Sequence, residues 1–163
     1  MGIFSNINEA QGSEGGLYLQ PGNYVLRINR CKMVESHKGA AMFVVETEVV
    51  SSDHETIKKG SVPSYVVKMG GEYPKLALGN VADFMRAALA AKADASGVER
   101  PADIKAVELD EATADAITGE TNLCAGVFLK ANAFTIKTKK NTDFTRVSWD
   151  VPDDLPQLIA SAA

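Results

Sequence analysis

The chain has 163 residues, of which 45% are hydrophobic and 23% charged. That length suits one domain, and that balance is typical of a soluble globular protein rather than a disordered or membrane-spanning one. The apolar runs are far shorter than the roughly 18 residues that a membrane span needs, and the first residues lack the pattern of a targeting segment. We therefore expect one cytoplasmic domain that has no membrane partner.

Charge is unevenly distributed along the chain, although the net charge is only −4. Residues 23–69 carry a net charge of +2 and residues 123–149 carry +4, whereas the rest of the chain carries −10. If the two basic segments meet in the fold, an acidic protein presents one basic face to a polyanion. The alternative is that these cations cover solvated strand faces.

The first half of the chain is dominated by strand patterns. Residues 1–22, rich in Gly, Ser and Asn, are expected to form a flexible arm. Residues 23–34 alternate apolar Tyr24, Leu26 and Ile28 with polar side chains, which predicts a long strand with one buried face. Residues 42–50 and 61–69 predict a second and a third strand, and Pro63 favours an edge position or a bulge for the third.

The periodicity changes after Gly70. Apolar residues then recur at the spacing of one helix face, which predicts a helix over residues 80–93. Residues 110–118 predict a short second helix, because Asp110 can cap its start and Gly119 its end. Residues 123–138 and 143–151 return to a two-residue period and predict two strands, after which residues 152–163 form a tail. The domain itself is expected to span residues 23–151.

Five strands with a helix between the third and fourth predict a mainly β fold, namely a five-stranded oligonucleotide/oligosaccharide-binding (OB) barrel with a short additional helix. In that fold the ligand crosses strands two and three, and the loops that join strands one to two and four to five grip it. Here those loops are residues 35–41 and 137–142, which hold Lys38 and Lys137, Lys139 and Lys140. Strand order and charge together indicate a binding site for a polyanion.

Enzyme signatures are missing from the sequence. It contains no phosphate-binding GxxxxGK[ST] or GxGxxG motif and no GxSxG nucleophile elbow, so we expect no enzyme and no catalytic residue. Cys31 and Cys124 are expected inside strands as small apolar side chains, and His37 and His54 in polar loops have no ligand partners, so we expect no cofactor or metal.

Aromatic residues interleaved with bases carry the positive signal. Single-stranded nucleic acid can be held by stacking its bases on aromatic rings while Lys and Arg contact the phosphates. A core position is the alternative for each ring, and Trp149 is expected to face inward. The predicted single-stranded DNA-binding set is Lys38, Lys58, Lys59, Tyr65, Lys68, Lys130, Phe134, Lys137, Lys139, Lys140, Phe144 and Arg146.

The pattern Pro21-Gly22-Asn23-Tyr24, followed by Lys38-Gly39 and Leu78-Gly79-Asn80, resembles bacteriophage single-stranded DNA-binding proteins of the OB-fold type. The resemblance implies a protein that coats and protects single-stranded DNA in phage replication or recombination, in the cytoplasm of an infected bacterium. It also implies replication or recombination proteins as partners.

The end of the chain departs from the bacterial single-stranded DNA-binding proteins, which finish in an acidic tail with an aromatic tip. Here Asp153 and Asp154 precede the apolar residues 155–160, which could pack as a short helix on the same or a neighbouring subunit of a homo-oligomer.

Two other functions compete with DNA binding. A phage structural or assembly protein would use the β-rich core for protein contacts. A metal-dependent nuclease would use Glu46 and Glu48, which alternate on one strand, although such a pair is more often a solvated face.

Overall fold

The computed structural model describes residues 18–35, 39, 41–69, 74–97, 104–137, 143–154 and 157–158. These residues form one five-stranded antiparallel sheet, in the order β3-β2-β1-β4-β5, and two α-helices. The strands are β1 (Gly22–Glu35), β2 (Ala41–Ser52), β3 (Ser64–Lys68), β4 (Phe128–Lys137) and β5 (Asp143–Asp150). The helices are α1 (Pro74–Ala95) and α2 (Glu111–Thr118), with a short 3-10 turn at Ile104–Ala106 between them. The predicted order of strands and helices is confirmed.

β1 and β2 form a long hairpin whose inner face is the centre of the core. Leu26 and Ile28 of β1 and Phe43 and Val45 of β2 are fully buried, because alternate side chains of a strand point to the same side. The pairing shifts register twice, between residues 25 and 26 and between residues 28 and 30. Such bulges increase the local twist of the hairpin.

β1 also pairs with β4, from Gly22 opposite Ala133 to Arg27 opposite Phe128. Beyond that stretch, the side chain of Asn122 forms hydrogen bonds with the β1 backbone. The backbone N–H of Cys31 donates to Asn122 Oδ1 at 2.8 Å, and Asn122 Nδ2 donates to the Cys31 carbonyl at 2.7 Å. Asn122 has a φ of 44°, a left-handed conformation that Asn tolerates better than most residues.

α1 covers the inner face of the sheet with the predicted apolar stripe. Val81, Phe84, Met85 and Ala88 are buried there. The helix begins at Pro74, six residues earlier than expected, and the predicted start at Asn80 is therefore wrong. Proline suits a first helical position, because its missing N–H has no partner there in any helix.

α2 follows its predicted boundaries. The side chain of Asp110 accepts a hydrogen bond from the Thr113 backbone N–H at 2.8 Å, and the Gly119 N–H donates to the Asp115 carbonyl. The Asp110 cap therefore satisfies an N–H that would otherwise lack a partner at the start of the helix.

The two ends of the sheet are β3 and β5, which are not hydrogen-bonded to each other in the described residues. The sheet is therefore open, and a closed barrel is not observed. β3 follows Pro63 and is an edge strand, as predicted. Tyr18 forms a parallel bridge with Ser64, and the Leu19 N–H donates to the Ser64 carbonyl at 3.2 Å, so these two residues of the predicted arm lie against β3.

Candidate functional site

The open ends of the sheet are held together by aromatic rings in place of backbone hydrogen bonds. The ring centroids of Tyr65 on β3 and Trp149 on β5 lie 5.1 Å apart in an edge-to-face arrangement. Phe84 of α1 contacts both rings, at 4.9 Å from Trp149 and 6.2 Å from Tyr65. Edge-to-face pairs at these distances are attractive in addition to the apolar area they bury. The contact between β3 and β5 is therefore formed by aromatic rings, and Phe84 of α1 packs against both of them.

Polar atoms inside this aromatic contact are largely withdrawn from water. Burial raises the pKa of the Tyr65 hydroxyl to about 12, and the nearby indole N–H of Trp149 partly opposes that rise. The indole Nε1 is itself buried and has no partner of hydrogen-bond geometry among the described residues. Burial therefore keeps the Tyr65 phenol protonated at neutral pH, and the indole N–H of Trp149 only reduces the rise in its pKa.

A groove of about 630 Å³ runs along this contact, and we call it the seam groove. Its lining includes Tyr18, Met42, Tyr65, Lys68, Leu76, Asn80 and Arg146. Lys68 and Arg146 are both exposed, and no carboxylate is among the described residues that line the groove. The volume falls within the roughly 300–1,000 Å³ that is usual for ligand clefts. The groove therefore offers two cations above an apolar and aromatic floor.

A second groove of about 460 Å³ also borders β5, and we call it the helix groove. Its lining includes Asp83, Arg86, Lys105, Phe134, Arg146 and Asp150. Phe134 stands directly opposite Arg146 in the β4–β5 register and is 38% exposed. Arg86 also donates from Nε to the Val107 carbonyl at 3.3 Å, which ties this side of α1 to the chain after the 3-10 turn.

The structure brings four of the predicted site residues together. Tyr65, Lys68 and Arg146 line the seam groove, and Phe134 lies beside Arg146 in the helix groove. The expectation that Tyr65 is an exposed stacking ring is wrong, however, because its side chain is only 9% exposed. Tyr65 and Lys68 are three residues apart on a strand and so point to opposite faces.

Other predicted site residues lie apart from both grooves. Lys58 and Lys59 are exposed in the loop after β2, where the Ser61 N–H donates to the Lys58 carbonyl in a turn. Lys130 is exposed on β4 opposite Asp150, and Lys137 is exposed at the end of that strand. These lysines do not line either groove.

The remaining predicted residues fall, wholly or by their side chains, outside the described part of the chain. Lys38, Lys139 and Lys140 lie outside the described residues, as does the side chain of Phe144. Most of the two predicted gripping loops falls in the same category, together with His37.

The outer face of the β1–β2 hairpin is balanced in charge. Lys32 forms an ion pair with Glu46 at 2.6 Å, and Arg27 stands opposite Glu48 in the register. Cations of β1 therefore face carboxylates of β2 across the hairpin, which weakens the attraction of this face for a polyanion.

The described residues outside the grooves give little support for other chemistry. No group of three or more His, Cys, Asp or Glu in that part of the chain could hold a metal ion. His54 is committed to its own loop, because its Nδ1 accepts from the backbone N–H groups of Thr56 and Ile57 at 3.0 Å.

Both cysteines are free and buried, and burial raises their pKa values. Burial raises the pKa of the Cys31 thiol to about 12 and that of Cys124 to about 11, so neither is a thiolate at neutral pH. Cys31 lies in β1 as predicted, whereas Cys124 lies in a turn that precedes β4, so its predicted strand position is wrong.

Sequence reasoning missed several residues of the grooves, among them Tyr18, Leu76 and Arg86. Tyr18 falls in the predicted flexible arm and Leu76 before the predicted helix start, and no site role was predicted for Arg86. A signal existed for Tyr18 alone, since an aromatic residue just before Pro21-Gly22 is unusual in a Gly- and Ser-rich arm.

Neither known protein-family models nor curated protein sequences give a match to this chain. Within its described part, no helix combines the length and the apolar character required to cross a membrane.

Proposed function

We propose that this protein binds single-stranded DNA without sequence preference and that the seam groove is part of the binding site. The observation that carries the proposal is the convergence of Lys68 and Arg146, from opposite ends of the sheet, on one groove with no described carboxylate in its lining. Cations beside apolar and aromatic surface are the combination that holds an unpaired strand, because phosphates need charge and bases need stacking surface.

The strand order supports a finer proposal, an OB-fold-like arrangement. A sheet in the order β3-β2-β1-β4-β5 closes into a five-stranded barrel when its two end strands meet. The contact of Tyr65 with Trp149 supports such a curl, since it brings β3 and β5 within reach of one ring. On this basis the protein is a non-enzymatic one that coats and protects single strands in phage replication or recombination.

The test is a fluorescence anisotropy titration of labelled oligo-dT of about 30 nucleotides, longer than the roughly 4–16 that one OB domain covers. We expect tight binding that weakens as salt rises and that duplex competitor fails to displace. The double variant Lys68→Gln/Arg146→Gln removes two phosphate contacts, so the slope of log K against log salt should shrink by about 1.4.

The matched control is Lys58→Gln/Lys59→Gln, which removes the same charge from the exposed loop outside both grooves. It should leave the salt slope close to that of the wild type. No binding by the wild-type protein at low salt would refute the proposed function. Equal losses in the two double variants would refute the position of the site.

A protein-assembly function is the second candidate, and the observation that favours it is exposed apolar surface at the start of α1. Leu76 is 51% exposed and Leu78 is 61% exposed. Light scattering of the purified protein distinguishes the two candidates. A stable multimer without affinity for oligo-dT favours assembly, whereas affinity for oligo-dT that Leu78→Ala leaves intact favours DNA binding.

A further inference from the structure

The seam groove and the helix groove share one wall. Arg146 and Val147 of β5 line both, so the two grooves adjoin at this strand, one edge of which is free. β5 is the last strand of the sheet, and no further strand of the described chain pairs with that edge. A ligand in one groove can therefore continue into the other by crossing β5 at Arg146.

Each groove holds one exposed aromatic ring. Tyr18 is 53% exposed in the seam groove, and Phe134 is 38% exposed in the helix groove. The other aromatic side chains whose exposure is described are all 9% exposed or less, which leaves these two as the available stacking surfaces in the described part of the chain. Each ring shares its groove with Arg146, which lines both.

The face predicted from the OB pattern, across β2 and β3, is less suitable for a polyanion. Glu46 and Glu48 of β2 lie on it, and the ion pair of Glu46 with Lys32 uses a cation that would otherwise attract phosphate. The helix groove also has two acids in its lining, Asp83 and Asp150, but Arg146 at the β5 edge has Phe134 opposite it instead of a carboxylate.

From these observations we infer that the bound strand crosses the free edge of β5, with one base stacked on Tyr18, one base stacked on Phe134 and a phosphate between them at Arg146. The inference rests on the proposed function and specifies its route. Arg suits the central position, because its planar guanidinium can donate two hydrogen bonds to one phosphate.

The test measures the affinity of Tyr18→Leu, Phe134→Leu and the double variant for oligo-dT of about 12 nucleotides, a length within the site size of one OB domain. Leucine keeps an apolar side chain and removes the ring, and both positions are exposed enough for the fold to persist. Stacking of one base on each ring predicts a loss of about tenfold in each single variant and about a hundredfold in the double variant.

Two controls separate the route from the function. Lys32→Gln removes a cation from the β1–β2 face and should change the affinity less than twofold, whereas Arg146→Gln should weaken it about as much as either ring variant. Thermal unfolding followed by circular dichroism checks that every variant has the wild-type transition.

The outcomes are distinguishable. If the wild-type protein binds and both ring variants bind equally well, the route is refuted while the proposed function stands. If Lys32→Gln weakens binding and Arg146→Gln does not, the strand lies across the hairpin face and the route is again refuted. If the wild-type protein does not bind, the proposed function itself fails.

Discussion

Phe84 is the residue on which the contact between the two ends of the sheet depends. Its side chain on α1 is fully buried, and its ring centroid lies 4.9 Å from that of Trp149, 6.2 Å from that of Tyr65 and 5.7 Å from that of Phe43. Truncating a buried phenylalanine to alanine costs about 3–5 kcal/mol, and each aromatic pair adds about 0.5–1.5 kcal/mol beyond its buried area. Because three rings lose their partner here, we expect Phe84→Ala to lower the free energy of unfolding by about 4–5 kcal/mol.

Urea unfolding followed by the fluorescence of Trp149, the single tryptophan, measures this loss directly. With an m-value of about 2 kcal/mol/M, the midpoint should fall by about 2 M. Phe84→Leu keeps much of the apolar volume and should cost about 1–2 kcal/mol. The exposed Leu78 on the same helix is the control, since Leu78→Ala should change stability by no more than about 0.5 kcal/mol. If Phe84→Ala lowers the free energy of unfolding by less than about 1.5 kcal/mol, the Phe84 ring contributes little to the contact between β3 and β5.

Three further predictions concern the residues around the sheet. Asn122→Ala removes both side-chain hydrogen bonds to the Cys31 backbone and places alanine at positive φ. Urea unfolding should therefore show a free energy of unfolding lower by about 2–3 kcal/mol. Asn122→Gly removes the same hydrogen bonds but tolerates the positive φ, so it should recover part of that stability. Cys31 and Cys124 should react with a thiol reagent only after unfolding, because both are buried with raised pKa values. The backbone and side-chain amides of Asn23 lower the pKa of Asp53, so its stabilising contribution should be present at neutral pH and lost as the pH falls below about 4; Asp53→Asn should flatten that acid dependence in urea unfolding.

Each of these has a result that contradicts it. Equal stability of Asn122→Gly and the wild type would mean that the amide bonds to Cys31 contribute nothing. Rapid thiol modification of the folded protein would place a cysteine at the surface. An acid dependence that Asp53→Asn leaves unchanged would mean that the Asn23 contacts do not form in solution.

Local patterns predicted most of the elements of this fold because their causes are local. The alternation of Tyr24, Leu26 and Ile28 reflects one buried strand face, and it reappears in the burial of β1. Asp110 and Gly119 mark the ends of α2 through hydrogen bonds that span only three or four residues. Such signals need no knowledge of the rest of the chain.

The start of α1 was harder to predict because some side chains of its first turns face solvent instead of the core. Leu76 and Leu78 in the first turns of α1 are exposed, so the apolar spacing there does not follow one helix face. Glycine often marks the end of a helix, so Gly79 also suggests a break in the sequence. It nevertheless lies inside α1, and the space around it is open. Pro74 was the available signal, since proline is common at a first helical position.

The candidate site was only partly predictable, for a geometric reason. Lys68 and Phe134 could be assigned to outer faces from strand alternation, and the same rule applied to Lys68 would have turned Tyr65 inward. The convergence of Lys68 with Arg146 depends instead on how far the sheet curls, and the bulges in β1 that add to that twist leave no clear mark in the sequence.

Charge sums along the sequence mislead where strands pair antiparallel. The positive sum over residues 23–69 suggested a basic surface, yet the antiparallel pairing of β1 with β2 places Arg27 opposite Glu48 and Arg30 opposite Glu46. The cations of β1 are therefore balanced locally by the acids of β2, and they add little to the field that a distant phosphate feels. Arg146 has Phe134 as its cross-strand partner instead of a carboxylate, so its charge is not offset in this way. On the proposed function, the residue across the ladder therefore decides which cations remain to attract a phosphate: Arg27 and Arg30 on β1 face carboxylates, whereas Arg146 at the β5 edge does not.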